Sequence, residues 1–355
     1  MKSASIALTV LVLALVVLVA LPIAGQEGAT RPSVFRTTHG GPRLDVTAHV
    51  RTGVQPKSVD VSPDGRHVVV CNFGFADHDN VFIYDAMTLE QVGTATFPGN
   101  AVETVFTRDA HTLFVSNFRR HVVEVLDFES CSGATAAAPC ALTPVREIAT
   151  ARHPKFMALS PDEQTLYVAS WGDRVVSVVD VASASEVRRL PTERHPRGLV
   201  VRPDGTLLAA AFDGDVIHVF PPGASAESAR WETCHLPRHL LISPDGSTVY
   251  VTCSLGSLGF YEALTGRRFG IGALARNPRT IDMSADGRWI ASANFGSSDV
   301  TLIDTREHLH RTHEVLGADQ IVGVAIHPGP ALRIYATSWN NAGLFLLTPH
   351  VPLTD

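Results

Sequence analysis

The chain is poor in several residue types, and each shortage excludes something. Only five of 355 residues are cysteine, too few for a small scaffold stapled by disulfides. Aromatic residues make up 7% and charged residues 18%, against 45% hydrophobic. That balance is globular and excludes a disordered or collagen-like chain. Lysine occurs three times, at Lys2, Lys57 and Lys155. Formal net charge is −6; without Lys2, 28 basic residues face 35 acidic ones, so a pull toward duplex DNA is not expected. There is no Cys-x-x-Cys-His, no phosphate-cradling glycine loop, no Gly-x-Ser-x-Gly and no His-Glu-x-x-His. Covalent haem, P-loop, serine-elbow and zinc-peptidase chemistry therefore lack their motifs. Beyond residue 24 no apolar run is long enough to span a bilayer, and helical periodicity is missing.

What is present begins with an address. Lys2 precedes an apolar run from Ala4 to Ala24, and Pro22-Ile23-Ala24-Gly25 offers small residues before Gln26. This reads as a signal peptide over 1–25, with an uncleaved anchor as the alternative. The mature chain is then expected to be secreted or periplasmic, in an oxidising compartment and off the membrane. Residues 26–43 carry no apolar rhythm and read as a flexible lead-in.

The rest, 44–355, is repetitive. A phrase recurs at Ser62-Pro63-Asp64-Gly65, Thr107-Arg108-Asp109-Ala110, Ser160-Pro161-Asp162-Glu163, Arg202-Pro203-Asp204-Gly205, Ser243-Pro244-Asp245-Gly246 and Ser284-Ala285-Asp286-Gly287. A degenerate seventh copy is His327-Pro328-Gly329-Pro330. Pro presets φ and Gly accepts positive φ, so each phrase is a tight turn. Short apolar strands flank it, such as Phe156–Leu159 and Thr165–Ser170, and two more follow. Four strands per repeat predict an all-β, seven-bladed β-propeller of antiparallel four-stranded blades. The seventh repeat ends after three strands, so the segment Leu44 to Val50 is expected to supply the fourth and close the ring, which leaves no unpaired edge.

The Ser-Pro-Asp-Gly turn followed by Tyr250-Val251-Thr252-Cys253, Tyr167-Val168-Ala169-Ser170 or Phe114-Val115-Ser116-Asn117 resembles the YVTN-repeat, YncE-like β-propellers over residues 44 to 348. The resemblance implies kinship with the propellers of cytochrome d1 and amine dehydrogenases. It speaks to fold and leaves the job open.

In such a blade the turn after the first strand lies on one face of the disc. The loop after the second strand and the blade-to-blade crossover lie on the other, where the central mouth makes a natural pocket. Five residues before each turn stand Lys57, Val102, Lys155, Arg197, Arg238, Arg279 and Val322. Five of these seven are cationic, each preceded by proline. The plain alternative is a solvated crossover turn copied by duplication. The functional reading is a clamp for a carboxylate, phosphate or acidic polymer. His153, His195 and His239 stand near the clamp as acid–base candidates, and Arg119 follows in a blade that lacks the ring cation. The second strands end on Phe73, Phe118, Trp171, Phe212, Phe295 and Trp339. Packing between blades is the bland account of these rings; Phe73, Phe118, Trp171, Phe295 and Trp339 are the stacking candidates.

Weaker signals complete the inventory. Asp77-His78-Asp79 and the group His308, His310 and His313 have ligand chemistry but read first as a solvated turn and rim. The histidine group is expected between the third and fourth strands of its blade. Cys131 and Cys140 bracket an insertion and are expected to bond, whereas the pairing of Cys234 with Cys253 stays open and Cys71 would be left over. The expected function is an exported, monomeric propeller that binds an anionic small molecule or an acidic partner. Rivals are a lactonase- or isomerase-type enzyme at the same mouth and a redox propeller with a non-covalent cofactor. The sequence identifies neither a catalytic set nor a cofactor.

Overall fold

The computed structural model describes residues 34–74 and 78–351; the expected signal segment, the lead-in before residue 34 and Asp77 lie outside them. The recurring phrases close hairpins through their own side chains. Ser62 Oγ donates to Asp64 Oδ1 at 2.6 Å and accepts from His67 N–H at 3.0 Å, and Gly65 N–H donates to Ser62 C=O at 2.8 Å. Gly65 sits at φ +73°, in the left-handed region that glycine enters without steric cost. Ala110 and Glu163 adopt the same conformation where the phrase lacks glycine.

Seven such hairpins grow into seven sheets. The first strands are Pro56–Val61, Ala101–Phe106, Pro154–Leu159, Pro196–Val201, Pro237–Ile242, Pro278–Met283 and Ile321–Ile326, in blades 1 to 7. Each touches the first strand of the next blade, and the last touches the first, so the ring is closed around an axis. Blade 7 takes its outer strand, Leu44–Arg51, from the start of the described chain, antiparallel to Gly343–Pro349.

The buried apolar residues fall into seven clusters among the described residues, one per blade interface. The cluster between blades 7 and 1 joins Val59, Val68 and Tyr84 to Ala325, Tyr335 and Leu346. Tyr335 Oη also donates to Ala86 C=O across that seam at 2.6 Å. Both faces of every blade are thus buried, and this is why the strands read as near-continuous apolar runs.

The four-stranded antiparallel blades are as expected, with an addition: blades 1, 5 and 6 each carry a fifth, parallel strand on the outer edge. Two other expectations need correction, the flexible lead-in and the placement of the histidine group. The lead-in, expected to be flexible, is structured where it is described. Phe35–Arg36 pairs with blade 5 and Thr38–His39 with blade 6. Phe35 lies over Gly270, where any Cβ would collide with its ring, and stacks with His308 at 4.1 Å. His310 Nδ1 meets Thr37 Oγ1 at 3.0 Å, and His313 Nδ1 accepts from Leu44 N–H at 3.1 Å. His310 and His313 therefore lie in the fourth strand, Leu309–Glu314, rather than before it. The third added strand, Cys140–Leu142, comes from the blade 2 insertion and covers the outer edge of blade 1. Covered edges cannot template pairing with another chain.

Candidate functional site

The crossovers build a repeated frame at one mouth of the channel. Phe73, Phe118, Trp171, Phe212, Phe295 and Trp339 each donate a backbone N–H to a carbonyl two residues before the clamp position of their blade. The acceptors Gln55, His153, His195, Asn277 and Gln320 all hold φ between 52° and 62°. That left-handed turn bends the chain from the crossover into the first strand. Four of these rings, those of Phe118, Trp171, Phe212 and Phe295, are thereby fixed beside a cation that starts the first strand of the same blade or the next.

The rings and cations interleave. Lys155 Nζ lies 4.0 Å from the Trp171 ring centre and 5.5 Å from that of Phe118. The Arg197 guanidinium is shared between Trp171 and Phe212, at 5.6 and 5.9 Å. Arg238 lies 4.7 Å over Phe212, and Arg279 4.1 Å over Phe295. All are within cation–π range. Blade 5 has Ser254 instead of a ring, and its Oγ accepts from Arg238 Nε at 2.8 Å. Phe212 was visible in the sequence as part of the same series, but it was not among the stacking candidates; it contacts two of the five cations.

Charge in this layer is poorly compensated. Lys57 Nζ meets Glu103 Oε1 at 3.4 Å, and Glu103 is the only acidic group paired with a clamp residue among the described residues. Lys155, Arg197 and Arg279 make no hydrogen bond or ion pair there, and the buried Nε atoms of Arg197 and Arg279 lack an acceptor. Arg197 is only 3% exposed. Burial pushes Lys57 down to about 8 against the pull of Glu103, with Arg197 and Arg279 pushing the same way. Burial, then repulsion from Arg197 and Lys57, holds Lys155 well below the usual lysine range. Burial lowers the three arginines, with repulsion from neighbouring arginines adding to it at Arg197 and Arg238, but a guanidinium keeps its proton in proteins, so the lysines are the groups that yield.

Beneath the cations lies a channel cavity of about 170 Å³, lined by Asp60, Glu103, His239, Thr280 and Asp282 among others. Side chains here stitch one first strand to the next. Thr280 Oγ1 accepts from Val324 N–H at 3.2 Å, and Asp282 Oδ2 accepts from Ile326 N–H at 2.6 Å. Burial, and repulsion by Asp282, raises Asp60 to about 7; burial raises Asp282 to about 6. The channel therefore runs from a cationic mouth to a carboxyl pair that holds protons near neutrality.

The three histidines part company. His239 lies in the channel wall, where burial and then Arg197 depress it to about 3. Its Nδ1 accepts from Ile281 N–H at 3.1 Å, so the neutral ring carries its proton on Nε2. It can donate a hydrogen bond but is a poor base. His153 stacks on Phe118 at 4.4 Å and His195 on Trp171 at 4.2 Å, and His195 Nδ1 also meets Asp213 at 2.7 Å. These two cap rings of the preceding blade. Arg119 is exposed on the loop after Phe118 and makes no ion pair among the described residues. Cys131 bonds Cys140 and Cys234 bonds Cys253, which leaves Cys71 buried with its thiol pushed up by desolvation. No group of three or more potential metal ligands occurs among the described residues, and no helix there is long and apolar enough to cross a membrane.

Comparison with known proteins gives a family and a fold. A family model described as "Lactonase, 7-bladed beta-propeller" matches residues 17–221. No curated protein sequence is significantly similar to the chain. Among solved structures, the hydrazine synthase of Kuenenia stuttgartiensis is similar at 19% identity with a TM-score of 0.69, over 84% of this chain and 97% of that one. A chain in a crystal structure of the mitotic checkpoint complex is similar at 13% identity with a TM-score of 0.71, over 96% and 99%. At these identities the likeness concerns the fold alone.

Proposed function

The chain belongs to the lactonase seven-bladed β-propeller family, and from that premise and the mouth geometry we propose that it binds an anionic small molecule with Lys57, Lys155, Arg197, Arg238 and Arg279. The observation that carries this reading is the buried, acceptor-free guanidinium of Arg197 among four further cations, with one carboxylate between them. A buried charge without a partner is costly, and an arriving carboxylate or phosphate supplies the missing acceptors. The two disulfides support an exported protein. The repeated turn phrases keep the resemblance to YVTN-repeat propellers as part of the same reading. All five clamp residues belong to one chain, so this reading needs only a monomer.

The test is Lys155→Ala with Arg238→Ala, read by calorimetric titration with inorganic phosphate and citrate at two salt concentrations. Losing two charge-assisted contacts is expected to weaken binding at least about tenfold, and wild-type binding is expected to fall with added salt. Unchanged affinity in the double variant refutes the clamp.

The family and the channel cavity favour a second reading, hydrolysis of a lactone in the same channel. Water would add to the lactone carbonyl carbon as Asp60 takes its proton, while His239 Nε2–H donates to the carbonyl oxygen. The ring C–O bond would then break, and its oxygen would recover the proton from Asp60 to leave a hydroxy acid. A base held near neutral pH suits this role. Asp60→Asn would then lower turnover about a hundredfold with phosphate binding retained. Equal turnover in the variant removes Asp60 from the reaction.

A further inference from the structure

The mouth is lopsided. In blades 3 to 6 the clamp positions hold Lys155, Arg197, Arg238 and Arg279, and none is paired with a carboxylate. In blades 7 and 2 the same positions hold Val322 and Val102, both 1% exposed. In blade 1, between them, Lys57 is neutralised by Glu103 of blade 2. At the neutral side the rings touch one another: Trp339 and Phe73 lie over no cation, and Phe118 stands at the boundary, 5.5 Å from Lys155 Nζ. Trp339 lies 5.9 Å from Phe73 at 34°, and Phe73 lies 5.8 Å from Phe118 at 65°. All three are half-buried, so part of each ring faces outward. One arc of the rim is cationic and the other is an aromatic ledge.

We propose that the ligand is an amphipathic anion: a carboxylate or phosphate joined directly to a flat apolar body. The oxygens sit on the arc of blades 3 to 6, and the body lies against Trp339, Phe73 and Phe118. This deepens the anion-binding reading and rests on it. A compact oxyanion uses only half of such a rim. A polyhydroxylated anion would set its hydroxyl groups against ring faces where only the Trp339 indole N–H can hydrogen-bond, a desolvation cost that an apolar body avoids.

The experiment compares three probes on the full chain by calorimetry: 2-naphthoate, gluconate and inorganic phosphate. Wild type is expected to bind 2-naphthoate at least about tenfold more tightly than gluconate. Trp339→Ala and, separately, Phe73→Leu are expected to weaken 2-naphthoate about five- to tenfold each, the range of one stacking contact, and to leave phosphate unchanged. Two separate variants guard against a fold defect in one, and Trp339→Phe is expected to restore most of the affinity. Gluconate binding as tightly as 2-naphthoate, or ring variants that shift both probes equally, overturns this inference and leaves the anion site standing. Failure of all three probes to bind overturns the anion site itself, and this inference with it.

Discussion

Arg197→Met is expected to make the protein more stable and to weaken its grip on anions. Burial and repulsion from Arg279 lower the Arg197 guanidinium from the usual arginine range to about 10. At about 1.4 kcal/mol per unit, keeping it charged at pH 7 costs the fold on the order of 3 kcal/mol. Because the group does not shed its proton, that cost stays in the native state. Methionine fills a similar volume between Trp171 and Phe212 and carries no charge. It forfeits two long cation–π contacts, on the order of 0.5–1 kcal/mol each. The net gain is about 1–2 kcal/mol, or roughly 1–3 °C in melting temperature for a chain of this length. The assay is calorimetric melting at pH 7 and low salt, with and without phosphate. A ligand that binds only the folded state raises the melting temperature by mass action. The wild type should show this increment, and Arg197→Met should lose most of it. A variant that melts lower than wild type and keeps the full phosphate increment refutes the claim that Arg197 is an uncompensated charge held for a ligand.

Asp60→Asn tests the far end of the channel. Because the folded-state pKa of Asp60 is raised from 3.8 to about 7, the unfolded chain ionises first as pH rises. Wild-type stability is therefore fullest below pH 4, falls through the window from 4 to 7, and is level above it. The Asn variant escapes that loss. Its stability relative to wild type should climb across the same window by on the order of 2–4 kcal/mol, measured by urea unfolding at pH 4, 6 and 8. A flat difference would show that Asp60 is ionised at no cost. A chain that starts at Thr52 lacks the outer strand of blade 7 and is expected to lose cooperative unfolding by circular dichroism. An unchanged melting curve would mean that the ring does not need Leu44–Arg51 to close.

The architecture was legible because its signals are local. Pro, Asp and Gly fix the turns by their own backbone and side-chain chemistry, as at Ser62 to Gly65. The missing fourth strand of the seventh repeat followed from counting. The cations were legible as a series for the same reason, since a constant offset from a fixed turn brings them to one level of the ring. The added strands Phe35–Arg36 and Thr38–His39 were not legible. Two residues show no periodicity, and their pairing depends on which outer edges happen to be free. Asp60 and Asp282 stood in plain view inside apolar strands, yet only the closed ring shows that they share a cavity and that Asp282 adds to the cost of ionising Asp60. The tautomer of His239 depends on a backbone N–H from the next blade, a contact that no single repeat contains.

The His239 contact is one of a set that organises the channel. The first strand of each blade is the innermost, so one row of its backbone groups faces the axis without a neighbouring strand. Unpaired buried N–H groups are costly. The chain meets the cost with side chains from the preceding blade: His239 for Ile281, Thr280 for Val324 and Asp282 for Ile326. Polar residues in the channel therefore need no functional explanation where such a stitch exists. By the same standard the cations at the mouth stand apart. Lys155, Arg197 and Arg279 satisfy no backbone group and meet no carboxylate among the described residues. Only partial contacts with aromatic faces offset their burial. A fold that uses channel side chains as stitches, and gives these three no such task, makes them the residues on which the proposed anion site stands or falls.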